Sequence, residues 1–149
     1  MKEKIPNLFI VGAPKSGTTS LYKYLSKHPN IFMSTPKEPN FFSSDLNGIN
    51  CINTLHEYQS IFRKSKKSQT IIGEASVWYL YSEKALINIY NYNNDAKIIV
   101  MLRNPIDLYH SLHKHFIYNG FEDKNDLIEA WQCQLDRKNG ENIPSNCRE

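Results

Sequence analysis

The stretch Asn7 to Leu21, NLFIVGAPKSGTTSL, constrains the chain most. Leu8 to Val11 is a short apolar run that predicts a buried strand. It enters a turn, Gly12-Ala13-Pro14-Lys15-Ser16-Gly17, after which Thr18, Thr19 and Ser20 open a helix carrying Leu21, Tyr22 and Leu25 on one side. A strand, a Gly-containing turn and a helix N-terminus in succession make an anion site. The first helical amides have no partner within the helix, and they point along its dipole at one spot.

The turn nearly matches the nucleotide-binding pattern G-x-x-x-x-G-K-[ST], from Gly12 through Gly17 to Thr19. It departs at the lysine, because Thr18 stands where that pattern needs Lys. The nearby cation is Lys15, inside the turn, so a phosphate or sulfate is still cradled but the ammonium is placed differently. This disfavours a Mg-ATP enzyme. An ordinary strand-to-helix turn with a fortuitous basic residue is the alternative reading of the stretch taken alone.

The chain of 149 residues is one domain in length, enough to bury about two-thirds of its unfolded surface. Its net charge of +3, from 18 Lys and Arg against 15 Asp and Glu, suits an anionic ligand and lacks the basic stripe of a nucleic-acid binder. Cys51, Cys133 and Cys147 have no zinc-ligand spacing and read as reduced thiols, with a Cys133–Cys147 disulfide as the alternative. MKEKIPN leads directly into the first strand, without a leader or membrane span, which predicts a soluble cytoplasmic protein.

Downstream, His28-Pro29-Asn30 stops the first helix and Ile31-Phe32-Met33 is a candidate strand. The loop Ser34 to Phe42 follows, with Pro36 and Pro39 excluding regular helix or central strand. Ser43 to Asn53 reads as loop, Thr54 to Lys67 as an amphipathic helix, Thr70 to Gly73 as a strand and Ser82 to Tyr92 as a helix. Trp78, Tyr79 and Tyr81 read as core or cleft wall. Lys97 to Leu102, KIIVML, is the strongest buried-strand signal, and Pro105 begins another helix. Asp126 to Arg137 is the last helix. His110, His113 and His115 lack a nearby acidic ligand, so they read as a basic, partly exposed helix face and no metal is expected.

Strands alternating with helices predict parallel pairing, with ligands beyond the carboxyl ends of the strands. Lys15, Glu38, Glu74 and Arg103 all follow expected strand ends, which predicts one shared cleft.

GAPKSGTTSL resembles the 5′-phosphosulfate loop of sulfotransferases that use PAPS (3′-phosphoadenosine 5′-phosphosulfate). The resemblance implies that Ser16, Gly17, Thr18 and Thr19 hold the 5′-phosphate while Lys15 steadies the leaving group. RNPIDLYHS, with Arg103 and Ser111 eight positions apart, looks like the family's 3′-phosphate motif. A guanidinium forks onto phosphate oxygens and a hydroxyl adds a donor. Lys37-Glu38-Pro39-Asn40-Phe41-Phe42 is similar to the K-E-x-x-F-F stretch of the glycan-directed, heparan sulfate branch, which implies that Glu38 is the general base. A solvated loop acid paired with Lys37 is the alternative for Glu38. Asn40 stands where that branch often carries His, and Ala75 where its E-K-[ST]-P stretch carries Lys. Both departures lie on the acceptor side, and Glu74-Ala75-Ser76 is closer to bacterial-type members.

The fold expected is α/β: a P-loop-type three-layer arrangement, a parallel sheet flanked by helices. The chain, residues 1–149, reads as the donor-binding N-terminal part of one sulfotransferase domain, truncated at its C-terminus. The activity implied is transfer of a sulfonate from PAPS to a hydroxyl or amine of a small-molecule or glycan acceptor, releasing PAP, with no nucleic-acid or membrane partner. The alternatives are a Mg-ATP-dependent small-molecule kinase and a non-catalytic nucleotide-binding module. The oligomeric state is left open.

Overall fold

The computed structural model describes residues 5–46 and 52–146. Strand β1, Leu8–Gly12, is buried along its whole length. It lies between β3, Ile71–Ala75, and β4, Lys97–Val100, with β2, Ile31–Met33, beyond β3, giving the order β2-β3-β1-β4. All three pairings are parallel. A strand of this kind is covered on both faces, which is why its sequence is continuously apolar instead of alternating.

On one face Phe9 and Val11 join Phe42, Tyr58, Phe62, Ile72, Tyr79, Ala85 and Ile89 in the main core. That face carries α2, Leu55–Ser60, a 3₁₀ turn at Val77–Leu80, and α3, Ala85–Tyr92. On the other face Leu8, Ile10, Met33 and Ala75 pack with Leu21, Tyr22 and Leu25 of α1, Thr18–Ser26. Helices on both faces of a parallel sheet make this an α/β fold with three layers. The chain divides into two compact units, Met1–Leu102 and Arg103–Glu149, and the sheet belongs to the first.

Three expectations are corrected here. KIIVML forms a strand only over Lys97–Val100, and among the described residues that strand is an edge, with Ile98 41% and Val100 45% exposed. Its apolar run predicted a buried strand because hydrophobicity does not report how many neighbours a strand has. The helix expected over Thr54 to Lys67 is the shorter α2, capped by Thr54 Oγ1 accepting from Glu57 N and closed where Ser60 Oγ donates to Glu57 O at 2.6 Å. The helix expected from Ser82 begins at Ala85, because Ser82 Oγ accepts from Ala85 N at 2.9 Å and donates to Asp45. Hydroxyls that bond local backbone compete with helix interiors in this way.

Gly12 ends β1 where the backbone meets the 3₁₀ turn. Its φ is +152°, and a Cβ there would lie 2.7 Å from Val77 O and 2.8 Å from Leu80 Cβ. Gly12→Ala is therefore expected to destabilise the protein by roughly 2–3 kcal/mol, as forced overpacking does. A thermal melt indistinguishable from the parent's would show that the turn can move aside.

The second unit holds α4, Pro105–Tyr118, α5, Leu127–Gln132, and α6, Gln134–Lys138. Asn104 and Asp126 cap α4 and α5 through their side-chain oxygens. The helix expected over Asp126 to Arg137 is thus two short helices meeting at Cys133. Arg137 forks onto Glu122 at 2.6 and 2.7 Å, and this guanidinium holds the Glu122 carboxyl down to about 2. His113 is buried, its Nε2 2.8 Å from Lys124 O, so of the three histidines expected on a partly exposed face only His110 and His115 are exposed. Cys51 and Cys147, and with them the alternative Cys133–Cys147 disulfide, lie outside the described residues.

Candidate functional site

The turn after β1 is stitched at its base: Met101 N donates to Gly12 O and Ala13 N to Met101 O, both at 2.7 Å. It then runs through Lys15 at φ +59° and reaches Gly17, the N-cap of α1, at φ +86°. A left-handed lysine is uncommon, since its Cβ crowds the following carbonyl, whereas glycine takes that geometry without cost. Leu21 N and Ser20 N donate to Gly17 O. No side-chain hydrogen bond caps α1 among the described residues, and its first turn has no acidic residue. The opening amides of α1 and the positive end of its dipole therefore meet no capping side chain and no first-turn acid. Lys15 and Thr19 are exposed, Ser16 is half-buried, and Thr18 is buried beneath the turn.

Glu38 lies in the loop after β2. The loop is tied to the sheet by Ser34 N donating to Gly73 O at 2.8 Å and Glu38 N to Ala75 O at 3.0 Å. Tyr22 of α1 donates its hydroxyl to Ser34 O at 2.7 Å. Both Glu38 and Asn40 are left-handed, at φ +62° and +50°. Asparagine tolerates that region better than most residues, which accounts physically for Asn40 at this position. The Glu38 carboxylate is paired with Lys37 Nζ, with side chains 35% and 20% exposed respectively. The loop acid is thus accessible, and its neighbour supplies a counter-charge.

Lys15 and Glu38 follow the carboxyl ends of β1 and β2, strands of one sheet separated by β3. Glu74 does not follow a strand end; it lies within β3 in register with Phe9, on the core face, fully buried. Tyr58 OH donates to its Oε1 at 2.7 Å, Tyr79 OH to Oε1 at 3.2 Å and Ser76 Oγ to Oε2 at 2.9 Å. Burial pushes the Glu74 carboxyl up to about 7 against these three donors. Sequence reading missed this cluster. Its one signal is the placing of Ser76 and Tyr79 just after an acid in a strand; Tyr58 comes from a different element.

Arg103 and Ser111 belong to the second unit. Arg103 is exposed just ahead of the Asn104 cap, and Ser111 is half-buried midway along α4. Among the described residues no group of three or more His, Cys, Asp or Glu could hold a metal ion. Nor is any described helix long and apolar enough to cross a membrane.

Residues 6–144 match the family model described as the sulfotransferase domain. The chain is 34% identical over 105 residues to the membrane-associated sulfotransferase kil1 of Dictyostelium discoideum, covering 69% of this chain and 21% of that protein. It is 28% identical over 182 aligned residues to carbohydrate sulfotransferase 15 of Mus musculus, covering 89% of this chain and 32% of that one. The crystal structure of a sulfotransferase from Alicyclobacillus acidocaldarius superposes with a TM-score of 0.83 at 33% identity, over 95% of this chain and 61% of that one. The chain therefore spans less than a third of these two curated relatives and about three-fifths of the solved one.

Proposed function

The chain belongs to the sulfotransferase domain family, and from that membership we propose that it moves a sulfonate group from PAPS to a hydroxyl or amine of a glycan acceptor. The observation that carries this reading is the turn Gly12–Thr19, delivered by a central strand into an uncapped helix start with a cation in the turn and no acid in the first helical turn. The glycan is suggested by a relative named as a carbohydrate sulfotransferase.

In this proposal the amides and hydroxyls of Ser16, Gly17, Thr18 and Thr19 hold the 5′-phosphate. The acceptor oxygen or nitrogen attacks sulfur in line while the bond from sulfur to the bridging phosphate oxygen breaks. Lys15 neutralises the charge that gathers on that departing oxygen, and the acceptor proton passes to the Glu38 carboxylate. Such base assistance is typically worth about 10²–10⁴-fold in rate. Arg103 and Ser111 are assigned to the 3′-phosphate on the RNPIDLYHS motif alone. We take residues 1–149 as the donor-binding part of one such domain.

The test is calorimetric titration with PAP, 5′-AMP and ATP, with and without magnesium. PAP is expected to bind more tightly than 5′-AMP, independently of magnesium. Arg103→Ala is expected to remove most of the difference, about 1.5–3 kcal/mol for hydrogen bonds to a charged group. Preference for ATP with magnesium would replace this reading with a kinase.

A further inference from the structure

Two hydroxyls connect the buried Glu74 carboxyl to the loop that carries Glu38. Ser76 Oγ donates to Glu74 Oε2 and accepts from Asn40 N at 3.1 Å. Tyr79 OH donates to Glu74 Oε1 and accepts from Phe42 N at 3.2 Å. With Glu38 N on Ala75 O, the loop amides at 38, 40 and 42 all end on the last residues of β3 or on hydroxyls that face Glu74. The alternation is that of an extended segment, yet Glu38 and Asn40 are left-handed. A non-glycine residue in that region costs on the order of 1 kcal/mol or more, and persists only where its surroundings over-determine it.

We propose that Glu74 is a positioning residue for residues 38–42, acting through the Ser76 and Tyr79 hydroxyls to fix where the Glu38 carboxylate is presented. The catalytic part of this inference rests on the reading of Glu38 as the base. A carboxylate accepting both hydroxyl protons leaves each hydroxyl oxygen turned towards a loop amide, and polarises it as an acceptor. A carboxylic acid is the weaker acceptor and must place a proton of its own among the same hydroxyls, which loosens the anchor. The groups facing Glu74 are Tyr58 from α2, Tyr79 from the 3₁₀ turn and Ser76. Both phenols are held well above their usual range by burial, so Glu74 is the member that titrates near neutrality.

Amide hydrogen exchange on the full chain tests the anchor without any acceptor. Ser76→Ala removes one relay and Tyr79→Phe the other, while Glu74→Gln keeps the shape and removes the charge. Exchange is expected to quicken by about ten-fold or more at Asn40 in the first, at Phe42 in the second and at both in the third. The amides of Phe9 and Ile10 in β1 should keep the parent's protection. In the parent, exchange at Asn40 and Phe42, corrected for its intrinsic pH dependence, should quicken as pH falls through about 7, and in Glu74→Gln it should not. In all three variants, transfer of the sulfonate from PAPS to a glycan hydroxyl, followed as PAP released, should show kcat lowered roughly ten-fold or more with PAP affinity unchanged. Unaltered exchange at the two loop amides, or equal acceleration in β1, overturns the anchor. Faster exchange with the parent's kcat overturns its catalytic role. Glu38→Gln with intact turnover would instead sink the base assignment, and it leaves the exchange result standing.

Discussion

Lys15→Ala is expected to lower kcat for sulfonate transfer by about 10²–10³-fold, the usual effect of removing one preorganised electrostatic donor. The loss should fall on kcat. The bridging oxygen gains charge only as the bond to sulfur lengthens, so the ammonium is worth most in the transition state. PAP affinity should change much less, because in the proposed reading the opening amides of α1 still face the 5′-phosphate. The left-handed backbone of Lys15 supplies a control. Alanine keeps the Cβ and so the strain that lysine already bears, whereas glycine relieves it, so the two variants remove the ammonium with the backbone strain kept and released. Both variants should lose the same rate if charge is the cause. A glycine variant with the parent's kcat would take the ammonium out of the mechanism and leave the turn's shape as the contribution.

The turn after β1 was legible because its parts are contiguous. An apolar run, a Gly-flanked turn and a helix start follow one another in fifteen residues or so, and each is dictated by local chemistry. The strand β1 and the start of α1 at Thr18 follow from that stretch, and His28-Pro29-Asn30 just beyond it marks where α1 stops. The edge position of β4 was not legible. Ile98 and Val100 look as buried as Phe9 and Val11 until the strand order is known, and order is a property of the whole sheet. Glu74 was misread for a related reason. An acid after an apolar run reads as a strand end, but here three hydroxyls from residues 58, 76 and 79 make its burial tolerable. The Glu38 loop was read from its residues, and the left-handed pair that shapes it was invisible, since neither Glu38 nor Asn40 is glycine.

The same buried acid makes stability itself depend on pH. Glu74 has an ordinary value of 4.5 in the unfolded chain and about 7 in the fold. Between those values the folded protein keeps a proton that the unfolded chain has released, so stability falls as pH rises through the window. Below about 4.5 both states are protonated and this group contributes no slope; above about 7 both are ionised and the full cost is present. The difference corresponds to about 3 kcal/mol, an order-of-magnitude figure for a fully buried group. Glu74→Gln cannot ionise, so its unfolding free energy in urea should lack this fall. The gap between variant and parent should therefore shift in the variant's favour by about 3 kcal/mol from pH 4.5 to pH 8. The variant need not be the more stable at any one pH, because an amide presents two N–H donors to a pocket of hydroxyls and one of them must turn. What decides the matter is the slope. Parallel curves for parent and variant would mean that water or a local rearrangement keeps Glu74 ionised at its ordinary value. The carboxyl would then be fully ionised, not half-titrated, near pH 7.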